Sequence, residues 1–184
     1  MLNQNNDKFA FIGGNYHLSL YEPVSIIKEI AIFSNCKTYL ELGLSAGDTF
    51  IELFNIVPKC IGVDIIDRRK QKVGQFYNET TNQFFSHFKE KVDIIFIDAN
   101  HGIEFVQRDL INSLNLLNEY GFIFMHDTDP YQMSHTLPER CGDAYKIHDY
   151  LNNRTDLTYV TLPIAITGLT IVQFRNTRRI LCGN

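Results

Sequence analysis

The chain has 184 residues, 45% of them hydrophobic and 21% charged, with a formal net charge of −4. That is enough apolar chain for one well-filled domain, and the acidic balance supplies no basic field to draw in nucleic acid. Cys36, Cys60, Cys141 and Cys182 stand far apart without a C-x-x-C pair, which argues against a zinc ribbon or a disulfide scaffold and for reduced, structural thiols in a cytosol.

Met1 to Asp7 is polar and Asn-rich and reads as a frayed end; Phe9 to Tyr21 reads as irregular, with a turn at Gly13-Gly14. Residues 1–22 are therefore expected as an N-terminal segment and 23–184 as a single domain. No basic-then-apolar leader and no apolar run of about 18 residues is present, so neither a signal peptide nor a membrane span is expected, and the expected location is cytoplasmic. Pro23 sits where helices begin, and Val24, Ile27, Ile30 and Ala31 share one helical face, ending near Asn35. Thr38 to Leu42 reads as a buried strand. A helix follows, with Phe50, Ile51, Phe54 and Val57 inward, stopped by Pro58.

Cys60 to Asp64 is a second strand ending in an acid. Arg68-Arg69-Lys70 reads as a solvated helix face, with a helical turn near Arg69. A third strand is expected over Val73 to Tyr77 and a helix over Asn82 to Phe88. The fourth strand, Val92 to Asp98, leads to an amphipathic helix, Ile103 to Leu117, with Ile103, Val106, Leu110, Leu114 and Leu117 at helical spacing. Phe122 to Met125 forms a fifth strand leading into His126-Asp127. Pro130 to Pro138 is a loop, Asp143 to Leu151 a helix, and Leu157 to Leu162 and Leu169 to Phe174 two strands able to pair antiparallel around Gly168.

Alternating helices and continuous apolar strands imply an α/β fold: a Rossmann-like, mostly parallel sheet covered by helices on both faces. Ligands of such sheets bind beyond the carboxyl ends of the strands. Glu41, Asp64, Asp98 and His126-Asp127 all stand at those ends, so several strands aim polar groups at one rim. Glu41-x-Gly43-x-x-x-Gly47 joins strand to helix, where glycine lets a ligand approach the backbone. It departs from the dinucleotide pattern G-x-G-x-x-G, and an acid beside the loop suits an ammonium and a sulfonium better than a pyrophosphate. Asp64, about 20 residues on, matches an acid that accepts from both ribose hydroxyls.

Glu41-Leu42-Gly43-Leu44-Ser45-Ala46-Gly47 followed by Gly62-Val63-Asp64 resembles the class I S-adenosylmethionine-dependent methyltransferases, over roughly Thr38 to Phe174. The resemblance implies a seven-stranded sheet with a C-terminal antiparallel hairpin. It implies Asp64 on the ribose with Ile65 beside it, Glu41 and the Gly43–Ser45–Gly47 loop beside the methionine half, and help from Asp48 and Thr49. Thr80 and Thr81 are candidates near the adenine.

Asp98-Ala99-Asn100-His101, then His126-Asp127 after the next strand, resembles the metal-dependent macrocin and macrolide-sugar O-methyltransferase-like group. That group implies Asp98 and Asp127 as metal ligands, with His126 beside them, and His101 as general base. Asp98 also borders the cofactor. The expected cofactors are S-adenosylmethionine and a divalent ion, Mg²⁺ for an oxygen-rich set, with Mn²⁺ or Fe²⁺ favoured if a histidine joins it. A hydroxyl is a poor nucleophile near neutral pH; a cation and a histidine that takes the proton both help it.

Plainer readings stand beside these. Asp98 can serve as a helix cap through Asn100 and the backbone, and His126 reads equally as a core histidine. Tyr16, His17, His135, Arg140 and Asp143 read as surface, Asp143 also as the cap of its own following helix. The Asp129 to Gly142 segment is expected to cover the substrate. The expected partner is a small molecule such as a sugar or polyol, with no nucleic acid and no membrane; a homo-oligomer is left open. A non-catalytic cofactor-binding module is the alternative. The absence of an aromatic-proline tetrad after the fourth strand counts against a nucleic-acid methyltransferase.

Overall fold

The structure, a computed structural model, describes residues 22–175. Tyr16, His17, Cys182 and the expected N-terminal segment lie outside the described residues. Helix α1 (Pro23–Phe33) starts on its proline, and Asn35, at φ 55°, turns the chain into β1 (Thr38–Leu42). Helix α2 (Asp48–Phe54) and strand β2 (Lys59–Val63) follow. Then come β3 (Gln75–Tyr77), α3 (Thr81–His87), β4 (Val92–Ile97), α4 (Ile103–Leu116) and β5 (Leu117–His126). Helix α5 (Ile147–Asn152) precedes the hairpin of β6 (Leu157–Leu162) and β7 (Leu169–Phe174).

The seven strands form one sheet in the order β3-β2-β1-β4-β5-β7-β6, with β1 to β5 parallel and β7 antiparallel to both neighbours. Successive residues point to opposite faces, as the pleat requires. Leu40, Leu42, Ile95, Ile97, Ile123 and Met125 pack against α3, α4 and α5. Tyr39, Ile94, Phe96 and Phe124 pack with Ile27 of α1 and Phe50 of α2 on the other face. Each such fully buried side chain contributes about 1.5–3 kcal/mol, so both strand faces must be apolar, and the runs read as continuous. Among the described residues no helix is long and apolar enough to cross a membrane. Cys36, Cys60 and Cys141 are buried free thiols.

Several local expectations change. Helix α2 buries Phe50 and Leu53, with Val57 just beyond its end, whereas Phe54 is 39% exposed. No helix forms around Arg69. Its guanidinium turns inward over the Phe76 ring, bonding both Asp67 oxygens and the Val73 carbonyl. That bond and the left-handed Gly74 (φ 68°) delay the strand, so β3 starts at Gln75 rather than Val73. Of the basic triplet, Lys70 pairs with Asp48 and Arg69 is buried, so a solvated helix face is not what the segment forms. Strand β5 begins five residues earlier than expected, because Leu117 pairs with Val92 across an irregularity in the ladder.

Candidate active site

The sheet register assembles the centre of the site. Ile97 pairs with Leu42 on one side and with Met125 on the other. The next residue on β4 is Asp98 and the next on β5 is His126, so they stand side by side on adjacent strands, which run about 4.8 Å apart. His126 Nδ1 lies 3.1 Å from Asp98 Oδ1. Asp127 then takes a left-handed conformation, φ 61°, which aspartate tolerates at modest cost. Its two carboxylate oxygens lie 3.3 Å from His126 Nδ1 and 3.1 Å from His101 Nδ1. His101 enters from the turn between β4 and α4, with Nε2 3.4 Å from Asp98 Oδ1. Asp98 does not cap α4; Asn100 does part of that work, accepting from the Gly102 amide at 2.9 Å.

The segment after β5 straps this turn in place. His101 Nδ1 lies 2.5 Å from the Arg140 carbonyl. The Ile103 amide, the first of α4, donates to Asp143 Oδ1 at 2.7 Å. Asp143 therefore caps α4 from forty residues away and makes no side-chain cap on its own short turn. Gly142, at φ 52°, lies against His101 so closely that a Cβ would stand 2.8 Å from the His101 carbonyl oxygen. Arg140 and Asp143 are thus part of the site rather than plain surface. The one hint in the sequence is Gly142 beside an acid.

Both ring nitrogens of His101 face oxygens that can only accept, so the arrangement demands a proton on each. The hydrogen bond to Asp98, set against the cost of burial and helped by the Arg140 carbonyl and the Asp127 charge, lifts its pKa to about 9. Burial works against charge on His126 and on Asp98. Bonds to His101 and His126 outweigh it at Asp98 and lower its pKa; at His126 the Asp98 bond and the Asp98 and Asp127 charges outweigh burial and the opposing His101 charge and raise it. The cluster is a network of paired carboxylates and imidazoles.

The glycine loop sits against the same strand tip. Gly43 has φ 84°, and a Cβ there would come 2.3 Å from the Asp98 carbonyl oxygen. Only glycine lets the tips of β1 and β4 touch. Asp64 Oδ2 accepts from the amides of Leu44 and Ser45 at 2.9 and 3.0 Å, and Oδ1 accepts from Ile66 at 3.0 Å. The carboxylate holds the loop's shape and keeps further acceptor capacity. A cleft of about 420 Å³ runs along this rim, lined among others by Gly43, Ser45, Asp64, Ile65, Thr81 and Asp98.

Other expected cofactor residues stand back from the cleft wall. Glu41 is 2% exposed and accepts from the Tyr39 hydroxyl at 2.6 Å. Burial drives the pKa of its carboxyl well up, with the Tyr39 bond opposing. Gly47 packs on Arg69, Asp48 points to Lys70, and Thr49 is not part of the wall. The cleft gains residues the sequence does not mark: Arg68, Glu79, Phe105 and Arg108. Arg108 stacks over Phe105 at 4.9 Å, one helical turn apart on α4, a pairing with no distinct sequence signal.

The residues present fit both absent groups. The glycine cradle at Gly43, with Asp64 and Ile65 beside it, suits an adenosyl cofactor. Asp98, His101 and Asp127 offer ligand atoms that all lie within 4.8 Å of one another, two carboxylates and an imidazole suited to a divalent ion. His126, the imidazole expected in that set, stands outside this group of three while bonding both acids.

Residues 40–128 match the methyltransferase domain family. No curated protein matches the chain. Among solved structures, a candidate caffeoyl-CoA O-methyltransferase from Staphylococcus aureus aligns with a TM-score of 0.69 at 17% identity, covering 82% of each chain. A candidate O-methyltransferase from Klebsiella pneumoniae aligns at 0.68 and 14% identity, over 94% of this chain and 87% of its own. The O-methyltransferase TomG of Streptomyces achromogenes, solved with S-adenosylmethionine and involved in tomaymycin synthesis, aligns at 0.64 and 15%, over the same shares. At these identities the likeness establishes the fold: the seven-stranded Rossmann-like methyltransferase sheet with its antiparallel end. The methyltransferase-domain match over residues 40–128, with the class I fold these structures share, supports an S-adenosylmethionine-dependent methyltransferase.

Proposed function

We propose that the protein methylates a hydroxyl oxygen of a small molecule, as members of the macrocin and macrolide-sugar group do, with a divalent ion assisting. The carrying observation is the meeting of Asp98, His101 and Asp127 within 4.8 Å at the edge of the cofactor cleft. Asp64 and Ile65 would receive the ribose, and the Gly43–Gly47 loop the methionine half. S-adenosylmethionine supplies the methyl group on a sulfonium leaving group. Asp98 and Asp127 would hold the ion, with the His101 imidazole beside them, and the ion would supply charge that makes the acceptor hydroxyl more acidic. Mg²⁺ is the expected ion, with Mn²⁺ the alternative that an imidazole ligand favours.

His101 would act as base at Nε2 once an ion held by the acids has displaced the proton that Nε2 carries without it. The Arg140 carbonyl accepts from Nδ1, so the Nε2 side facing Asp98 and the cleft is the one left for chemistry. The acceptor oxygen then bonds the methyl carbon as the carbon–sulfur bond breaks, leaving S-adenosylhomocysteine. Orientation by the cleft supplies much of the rate, because attack must be in line with the bond that breaks.

The test follows S-adenosylhomocysteine release from a panel of hydroxylated acceptors, with Mg²⁺ or Mn²⁺ and with chelator. Asp98→Ala and His101→Ala should abolish turnover while leaving cofactor affinity nearly intact. Asp127→Ala should weaken Mn²⁺ binding, with cofactor affinity unchanged. Full activity of both Asp98→Ala and His101→Ala would overturn the site. Tight cofactor binding with no ion and no product from any acceptor would favour a non-catalytic module.

A further inference from the structure

Strand β7 runs antiparallel to β5, and its first residue, Leu169, pairs with His126, the last of β5. The turn that links β6 to β7 therefore stands beside the acid–histidine cluster. This turn is strained. Ala165 and Ile166 have φ 51° and 67°, two successive left-handed residues of which neither is a glycine. A β-branched side chain rarely takes that conformation, and such strain persists only where the surroundings impose it.

The surroundings here are the core on one side and the segment after Asp127 on the other. Ile164 is 2% exposed and belongs to the same core face as Phe124 and Leu169. Three bonds then join the hairpin to the residues that follow Asp127. The hydroxyls of Thr128 and Thr170, both fully buried, lie 2.8 Å apart. The Asp129 amide donates to the Thr167 carbonyl at 2.8 Å, and the Tyr131 amide to the Ile166 carbonyl at 3.0 Å. Gly168, at φ 81°, lets the two segments touch: a Cβ there would stand 2.5 Å from the Asp129 Cβ.

The strained turn sets the place of one hydroxyl. Thr167 Oγ1 lies 3.4 Å from His126 Nε2 and 3.4 Å from the Ala165 carbonyl. The carbonyl can only accept, so the hydroxyl donates to it, and its oxygen is left to accept from Nε2–H. The other ring nitrogen, Nδ1, then faces Asp98 and Asp127 at 3.1 and 3.3 Å. Bonds as long as 3.4 Å are weak by themselves, so the ring's orientation depends on the turn keeping the oxygen where it is. A hairpin as such needs none of this; glycine or asparagine would make the turn without strain.

We propose that Thr167 is a positioning residue for His126, its hydroxyl holding the ring so that Nδ1 stays against both carboxylates. Through His126 the β6–β7 turn orients Asp98 and Asp127. The use made of those acids, to hold an ion beside the acceptor, rests on the methyl-transfer reading above.

The test compares Thr167→Val, which keeps the shape and loses the hydroxyl, with Thr167→Ser, which keeps the hydroxyl. Nitrogen-15 NMR of the histidine rings, on the full chain loaded with S-adenosylhomocysteine, reads the contact directly. The His126 Nε2 signal should move in Thr167→Val and return in Thr167→Ser. Mn²⁺ affinity and kcat should each fall about tenfold in Thr167→Val, the scale on which outer partners of a metal site act, with cofactor affinity within twofold of wild type. Thr167→Ser should recover most of both. An unmoved His126 Nε2 signal in Thr167→Val would overturn the proposal, as would Mn²⁺ affinity within twofold of wild type in that variant, or equal losses in the two variants. Should the wild type bind no Mn²⁺ or methylate no acceptor, the methyl-transfer reading fails, and the ring signal decides the contact by itself.

Discussion

The carbonyl of Arg140 lies 2.5 Å from Nδ1 of His101, thirty-nine residues earlier in the chain. A histidine at a helix entrance has a mobile ring unless something fixes it, and here a backbone group from the loop after β5 does so. Asp143, three residues on, holds the Ile103 amide at 2.7 Å, so strap and turn are joined twice.

Substituting Gly142 by alanine should break this joint. A Cβ would stand 2.8 Å from the His101 carbonyl oxygen at a backbone φ of 52°. Displacing a reacting group by about 1 Å can cost on the order of a hundredfold in rate. Gly142→Ala should lower kcat at least tenfold with cofactor affinity within twofold of wild type, read by turnover and by calorimetric titration. Asp143→Ala should lower stability by about 1 kcal/mol through the lost cap, and Asp143→Asn, which keeps an accepting oxygen, should recover most of it. Equal losses in both Asp143 variants would show that the cap is not the cause.

Gly43→Ala should be severe on two counts. The added Cβ meets the Asp98 carbonyl at 2.3 Å, and φ 84° strains any side chain. Overpacking and strain together predict about 2–3 kcal/mol of destabilisation, seen as a lower urea midpoint, and loss of cofactor binding. An alanine variant that binds cofactor normally would show that the tips of β1 and β4 need not touch.

Asp109 sets a pH dependence of stability. It is 1% exposed on α4 and accepts from the Thr81 hydroxyl at 2.8 Å. Burial lifts its pKa from 3.8 to about 6, with the Thr81 bond and the Arg108 charge resisting. The unfolded chain loses this proton at lower pH than the folded one. Ionised Asp109 therefore destabilises the fold fully above pH 6, and the penalty vanishes as pH falls below about 4. The group is worth up to about 3 kcal/mol over that window. Asp109→Asn should raise stability at pH 7 and change little at pH 4, in urea titrations at both values. A uniform shift at the two values would contradict the burial argument.

Ion binding should release protons. With no ion, both nitrogens of His101 face acceptor oxygens and its pKa is near 9. A cation between Asp98 and Asp127 competes with that charge. Mn²⁺ affinity should therefore rise by about tenfold per pH unit between pH 6.5 and 8.5 if one proton leaves. Electron paramagnetic resonance titration of free Mn²⁺ reads this directly, and the slope should flatten in His101→Ala. A pH-independent affinity in wild type would count against an ion at this cluster.

Much of the molecule follows from local sequence. Apolar runs such as Ile94 to Ile97, buried on both faces, and helical spacing from Val106 to Leu114 mark their elements because burial is a strong, short-range constraint. Strand-end acids follow too, since a polar group cannot continue a run buried on both faces. Segments governed by a single side chain do not follow: Arg69, drawn inward by Asp67, Val73 and Phe76, removes a helix and shortens β3. Sequence alone thus determines the class of fold, the glycine turn and the candidate chemical groups. The tertiary structure decides which of those groups meet. Strand order sets β4 between β1 and β5 and so puts Asp98 beside His126, and a return loop brings Arg140, Gly142 and Asp143 onto His101. Such contacts join residues tens of positions apart through backbone atoms, and a backbone carbonyl or amide leaves no trace in residue identity.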